Sequence, residues 1–61
     1  MTLPALKRIA QAASKAGIKL DLHQDGPVWR WRWSNGLTGM TDAAPRAVAF
    51  TFACEDLAPF L

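Results

Sequence analysis

Arg30 and Arg32 stand two residues apart in the run Val28-Trp29-Arg30-Trp31-Arg32-Trp33. Their chemistry suits recognition: a guanidinium is a planar fork of N–H donors that pairs bidentately with a carboxylate or a phosphate. In an extended strand that spacing sends both arginines to one side and the three tryptophans to the other. Lys19 and His23, in the alternating run Ile18-Lys19-Leu20-Asp21-Leu22-His23, fall on the arginine side when the two runs pair. Ser34 borders this group, and Asp21 offsets part of its charge. Arg30, Arg32, Lys19 and His23 are therefore the expected partner-binding set.

Other charged groups read more plainly. Lys7, Arg8 and Lys15, with Gln11 between them, form a secondary basic surface on the polar side of an amphipathic helix. Such a stripe is ordinarily solvated, and a membrane-binding helix would carry larger apolar anchors. Glu55 and Asp56 lie near the end of the last helix, where the dipole disfavours negative charge, and are expected to be solvated surface.

Catalytic chemistry has little to draw on. His23 is the sole histidine, Cys54 the sole cysteine, and the serines are Ser14 and Ser34. A Cys54–His23 pair would act as nucleophile and base only if adjacent, and the expected topology separates them. There is no phosphate-binding GxxxxGK[ST] run and no set of carboxylates at calcium-loop spacing. The expectation is a protein that is not an enzyme, with no metal site and no cofactor. The tryptophans invite a base-stacking reading, but they share a face with Ile18, Leu20 and Leu22 and are expected to be core. Trp29 or Trp33, each nearest a turn, is expected to keep an exposed edge.

The 61 residues leave room for a single domain, 1–61, with one core. Half of them are apolar, and six are aromatic: Trp29, Trp31, Trp33, Phe50, Phe52 and Phe60. A lone cysteine excludes an intrachain disulfide and fits a reducing compartment. The first residues carry Lys7 and Arg8 within an amphipathic pattern, unlike a signal peptide, and no apolar run approaches the roughly 18–20 residues of a membrane span. A cytoplasmic protein follows, with no membrane association, and a monomer or weak homo-oligomer. The net charge of +2 and pI of about 9.2 are too mildly basic to imply phosphate binding by themselves.

The elements that position these residues follow from periodicity. Thr2 is a helix cap, Pro4 fits the first turn, and Leu3, Leu6, Ile9, Ala10 and Ala13 recur at helical spacing up to Gly17, predicting a helix over Leu3–Ala16. Two strands follow, over Ile18–His23 and Val28–Trp33. A two-residue Asp25-Gly26 turn would set Leu22 opposite Trp29, Leu20 opposite Trp31 and Ile18 opposite Trp33, with Asp21 against Arg30 and Lys19 against Arg32. Asn35-Gly36 predicts a second hairpin into a short strand, Leu37–Met40. A two-residue loop there pairs Trp31 with Met40 and Arg32 with Gly39, leaving Arg32 uncovered but turning Leu37 to the arginine face. A three-residue loop would bring Leu37 inward. Asp42 is expected to cap a second helix running from Ala43 to about Leu57, with Pro45 as its third residue and Val48, Phe52 and other apolar residues facing inward. Val48–Phe52 also alternates like a strand, and the alanine content decides for the helix.

The resulting α+β architecture is α-β-β-β-α: a helix, a three-stranded antiparallel meander and a helix, in two layers with both helices on the tryptophan face. Its open face points to a non-catalytic interaction module for a protein partner, of the kind represented by small regulators or inhibitors of larger complexes, including those of phages and plasmids. The alternative is a nucleic-acid-binding domain that contacts phosphates through the arginine face, a layout loosely similar to sheet-type DNA-binding domains. A third possibility is an assembly subunit that pairs through an exposed edge strand.

Overall fold

In the computed structural model, which describes residues 3–61, the chain runs α1 (Leu3–Lys15), β1 (Leu20–Asp25), β2 (Val28–Trp33), β3 (Thr38–Thr41), α2 (Arg46–Leu57) and a short 3-10 turn, Ala58–Phe60. The strands form one antiparallel sheet in the order β1-β2-β3. The α-β-β-β-α order and α+β class are those the periodicity predicts. Thr2, the expected cap of α1, lies outside the described residues. At the other end Ile18 N–H donates to Ala13 O at 2.8 Å and Gly17 N–H to Ser14 O at 3.1 Å, the two bonds of a Schellman ending. Ala13 is buried, with Leu6 and Ile9 packed beside it.

Both hairpins differ from expectation in register. The first turn is Gly26-Pro27 rather than Asp25-Gly26, so Leu20 faces Trp33, Leu22 faces Trp31 and Gln24 faces Trp29. Proline explains the shift. The expected register required Pro27 to serve in the ladder, where it has no N–H to donate. In the turn that loss is harmless, and Gly26, at φ +62°, supplies the positive φ of a glycine-first hairpin turn. The displacement is two residues, so every side chain keeps its face. Lys19 no longer faces Arg32; it pairs with Ser34, whose N–H donates to Lys19 O at 2.8 Å while Ser34 Oγ accepts from Lys19 N–H at 2.9 Å. Asp21 now faces Arg32 instead of Arg30.

The second loop has three residues, Ser34-Asn35-Gly36. Gly36 N–H closes a turn on Trp33 O at 2.9 Å, Trp33 N–H donates to Leu37 O at 2.8 Å, and Gly36 sits at φ +99°, as three-residue hairpins with a glycine bulge require. Of the two loop lengths considered, this is the one that brings Leu37 to the core. It also overturns the pairing of Arg32 with Gly39: Trp31 faces Gly39, Arg32 faces Thr38 and Arg30 faces Met40. Met40 consequently lies on the arginine face, 52% exposed.

α2 begins three residues later than expected. Pro45, extended at φ −63° and ψ 154°, is the residue at its start, its carbonyl accepting from Val48 and Ala49; Asp42 does not cap it. A proline disfavours helical geometry in the residue before it, here Ala44. The buried face also differs: Ala49, Ala53, Cys54 and Leu57 face inward, while Val48 and Phe52 are 39% and 42% exposed. Small residues are needed there because the indoles of β2 occupy the space. Trp33 Nε1–H reaches the Ala53 carbonyl at 2.9 Å, and Trp31 Nε1–H reaches Asp56 Oδ2 at 3.2 Å. Each buried indole thereby pairs its one polar atom. Trp31 and Trp33 are 4% and 3% exposed and share a cluster with Ala13, Ala53, Cys54 and Leu57, placing residues of both helices on the tryptophan face. Trp29 alone is partly open.

Candidate partner-binding face

The face of the sheet away from the helices carries four rows of side chains. Asp21, Arg32 and Thr38 form one, and His23, Arg30 and Met40 the next. Asp25 and Val28 close the turn end, and Lys19 with Ser34 lies at the opposite end. Rows on one face are about 6.6–6.8 Å apart, two residues of strand rise. The structure thus brings Arg30, Arg32, Lys19 and His23 onto one exposed face, though with different neighbours from those expected.

The two arginines are not equivalent. Arg30 Nε donates to Asp25 Oδ2 at 2.8 Å in a pair about half exposed at both ends. Such a pair contributes at most about 1 kcal/mol to stability; its main consequence is to orient Arg30. Arg32 has Asp21 directly across the strands, but its guanidinium makes no hydrogen bond or ion pair among the described residues. Asp21 Oδ1 lies instead 3.8 Å from His23 Nδ1. Arg32 also lines two shallow depressions. One, of about 410 Å³, is shared with His23, Arg30, Thr38 and Met40; the other, of about 280 Å³, is shared with Lys19, Asp21 and Ser34. An unengaged guanidinium between two hollows, with an exposed methionine nearby, can take a carboxylate and an adjoining apolar side chain together. Met40 is the residue missed by sequence reasoning, and only the loop length could have located it.

The secondary basic residues Lys7, Arg8 and Lys15 are exposed on α1. At 100° per residue they span one side of the helix, opposite the side that buries Ala13. They belong to the helical layer, whereas the arginine face is the outer side of the sheet, so the two basic surfaces do not merge. Asp56 is exposed, as expected, and in addition accepts the Trp31 indole N–H.

Cys54 and His23 occupy opposite sides of the sheet, the first fully buried in the core and the second exposed. No nucleophile–base pair forms between them. Burial pushes the Cys54 thiol above its ordinary value of 9.0, the direction expected when the charged form is desolvated. Ellman's reagent should therefore react with the native protein slower by orders of magnitude than with the unfolded chain, since attack requires opening and ionisation. The unfolded chain releases this proton at lower pH than the folded one, so above about pH 9 the thiol contributes a loss of stability with rising pH. A thermal-melt series should show Cys54→Ala losing less stability across that range than wild type. Equal losses would contradict the burial of the thiol.

Comparison with the models of known protein families, with curated proteins and with solved structures returns no match. No helix among the described residues is long and apolar enough to cross a membrane.

Proposed function

We propose that this chain is a non-catalytic protein-binding module whose open sheet face docks on a partner, with Arg32 at the centre of the contact. The observation that carries this reading is the unengaged Arg32 guanidinium between two depressions, with Met40 bordering one of them. Arginine and methionine are enriched in protein interfaces, where lysine is depleted. The partner's complementary feature is a carboxylate beside an apolar side chain. Occupying that surface is enough for a small regulator or inhibitor of a larger complex to act.

Two observations weigh against the nucleic-acid reading. Asp21 and Asp25 sit among Lys19, Arg30 and Arg32, and Asp25 already engages one guanidinium, which weakens phosphate neutralisation. Trp31 and Trp33 are buried under the helices and Trp29 shares their face, so the tryptophans give the open face no platform for stacking bases. Fluorescence anisotropy with labelled single- and double-stranded oligonucleotides across a salt series separates the readings. Phosphate binding has a log–log slope of about −0.9 per phosphate contacted on duplex DNA. The expected result is no binding at near-physiological salt. Tight binding with a steep slope would overturn the protein-partner reading.

A further inference from the structure

β3 is an edge of the sheet, and its free side adjoins a groove. Trp33 N–H donates to Leu37 O and Trp31 faces Gly39. The alternation of an antiparallel ladder therefore turns the N–H and C=O of Thr38 and Met40 away from β2. No strand lies beyond them among the described residues. Such outward-facing groups are a template for a further strand. Between β3 and α2 lies a groove of about 500 Å³ lined by Trp31, Gly39, Met40, Asp42, Phe52 and Asp56. Phe52 gives it an apolar wall and is substantially exposed. Among the described residues the exposed Asp42 carboxylate makes no hydrogen bond or ion pair, and the Asp56 carboxylate accepts from the Trp31 indole.

We propose that this edge is a β-augmentation site for an extended segment of a partner protein, carrying a lysine or arginine at one helix-facing position and an apolar side chain two residues away. Main-chain bonds to Thr38 and Met40 supply the pairing, and alternate side chains enter the groove. The apolar side chain covers Phe52, and the cation meets Asp42 or Asp56. Charge distinguishes this occupant from a second copy of the chain. β3 itself, Thr38–Thr41, carries no cation, and two copies set edge to edge would place both pairs of aspartates along one merged groove. This site adjoins the arginine face, with which it shares Met40, but it rests on the outward main-chain groups of β3 and on Asp42, Phe52 and Asp56, not on the arginines.

The test uses the intact protein against a displayed library of short peptides with one fixed lysine and random residues elsewhere. Enriched peptides are resynthesised and mapped by amide NMR. The expected result is a set with an apolar residue two positions from the lysine, whose binding shifts and protects the Thr38 and Met40 amides. Methylating the peptide nitrogens that pair with β3 should weaken binding about tenfold, as loss of two hydrogen bonds implies. Asp42→Asn should weaken it without changing the melting temperature. The proposal is overturned if no enriched peptide perturbs Thr38 and Met40, if nitrogen methylation leaves affinity intact, or if the protein without peptide self-associates through β3.

Discussion

Replacing Trp31 by alanine should unfold the domain or bring it to the edge of unfolding, at a cost of about 3–5 kcal/mol. The indole is 4% exposed, shares a cluster with Trp33, Ala53, Cys54 and Leu57, and donates to Asp56 on α2. Its removal leaves a void between the layers and strips a hydrogen bond from Asp56. At roughly 0.05–0.15 kcal/mol per residue, a chain this short has little stability beyond that loss. Trp29→Ala, at the partly open end of the same strand, should cost visibly less. Circular dichroism and thermal melting measure both, and an unchanged melting temperature for Trp31→Ala would contradict the assignment of the tryptophan face to the core.

Gly39→Ala should also destabilise, although general considerations point the other way. Where the backbone is unstrained, glycine to alanine stabilises by about 0.4–1 kcal/mol through the unfolded chain, and Gly39 is not among the positive-φ glycines. Its constraint is steric. A Cβ there would lie 2.5 Å from Cε2 and Nε1 of Trp31, so the buried ring would have to swing out and abandon Asp56. Overpacking of this kind costs about 1–3 kcal/mol, and the lost hydrogen bond adds about 0.5–1.5 kcal/mol. The expected readouts are a lower melting temperature and an altered near-ultraviolet tryptophan signal. A stabilised variant would contradict the close contact of Trp31 with Gly39.

Gly39 also illustrates how far the fold was legible in the sequence. Alternation in β1 and β2 is a local property, so the faces of Leu20, Leu22, Trp31 and the two arginines followed from it and survived a two-residue shift in register. The register itself depends on which residues occupy the turns. Asp25-Gly26 and Gly26-Pro27 are both acceptable turn pairs, and the missing N–H of Pro27 decides between them. At β2–β3 one extra loop residue exchanges the faces of Leu37 and Met40. The buried side of α2 was harder still. Ala47, Val48, Ala49, Phe50, Phe52, Ala53 and Cys54 are apolar nearly all round the helix, so periodicity does not choose a face. Val48 and Phe52 are as apolar as their neighbours and so are candidates for the inward side, whereas the bulk of the tryptophans beneath seats Ala49 and Ala53 there. In the same way, strand parity put Arg30 and Arg32 on the open face, but the engagement of Arg30 by Asp25 and the freedom of Arg32 depend on register and side-chain direction. The cleft between β3 and Phe52 was hidden for both reasons.

The central claim is that the open sheet face binds a protein partner through its arginines. Its direct test is the affinity of the Arg30→Ala/Arg32→Ala variant, beside wild type, for the protein that immobilised wild type retains and mass spectrometry identifies. Both side chains are exposed and the one ion pair lost is superficial, so circular dichroism and melting temperature should stay close to wild type. Binding should weaken by about 30-fold or more, the equivalent of the roughly 2 kcal/mol that marks an interface hot spot. Arg32→Ala alone should account for most of it. A folded double variant that binds with wild-type affinity would contradict the account.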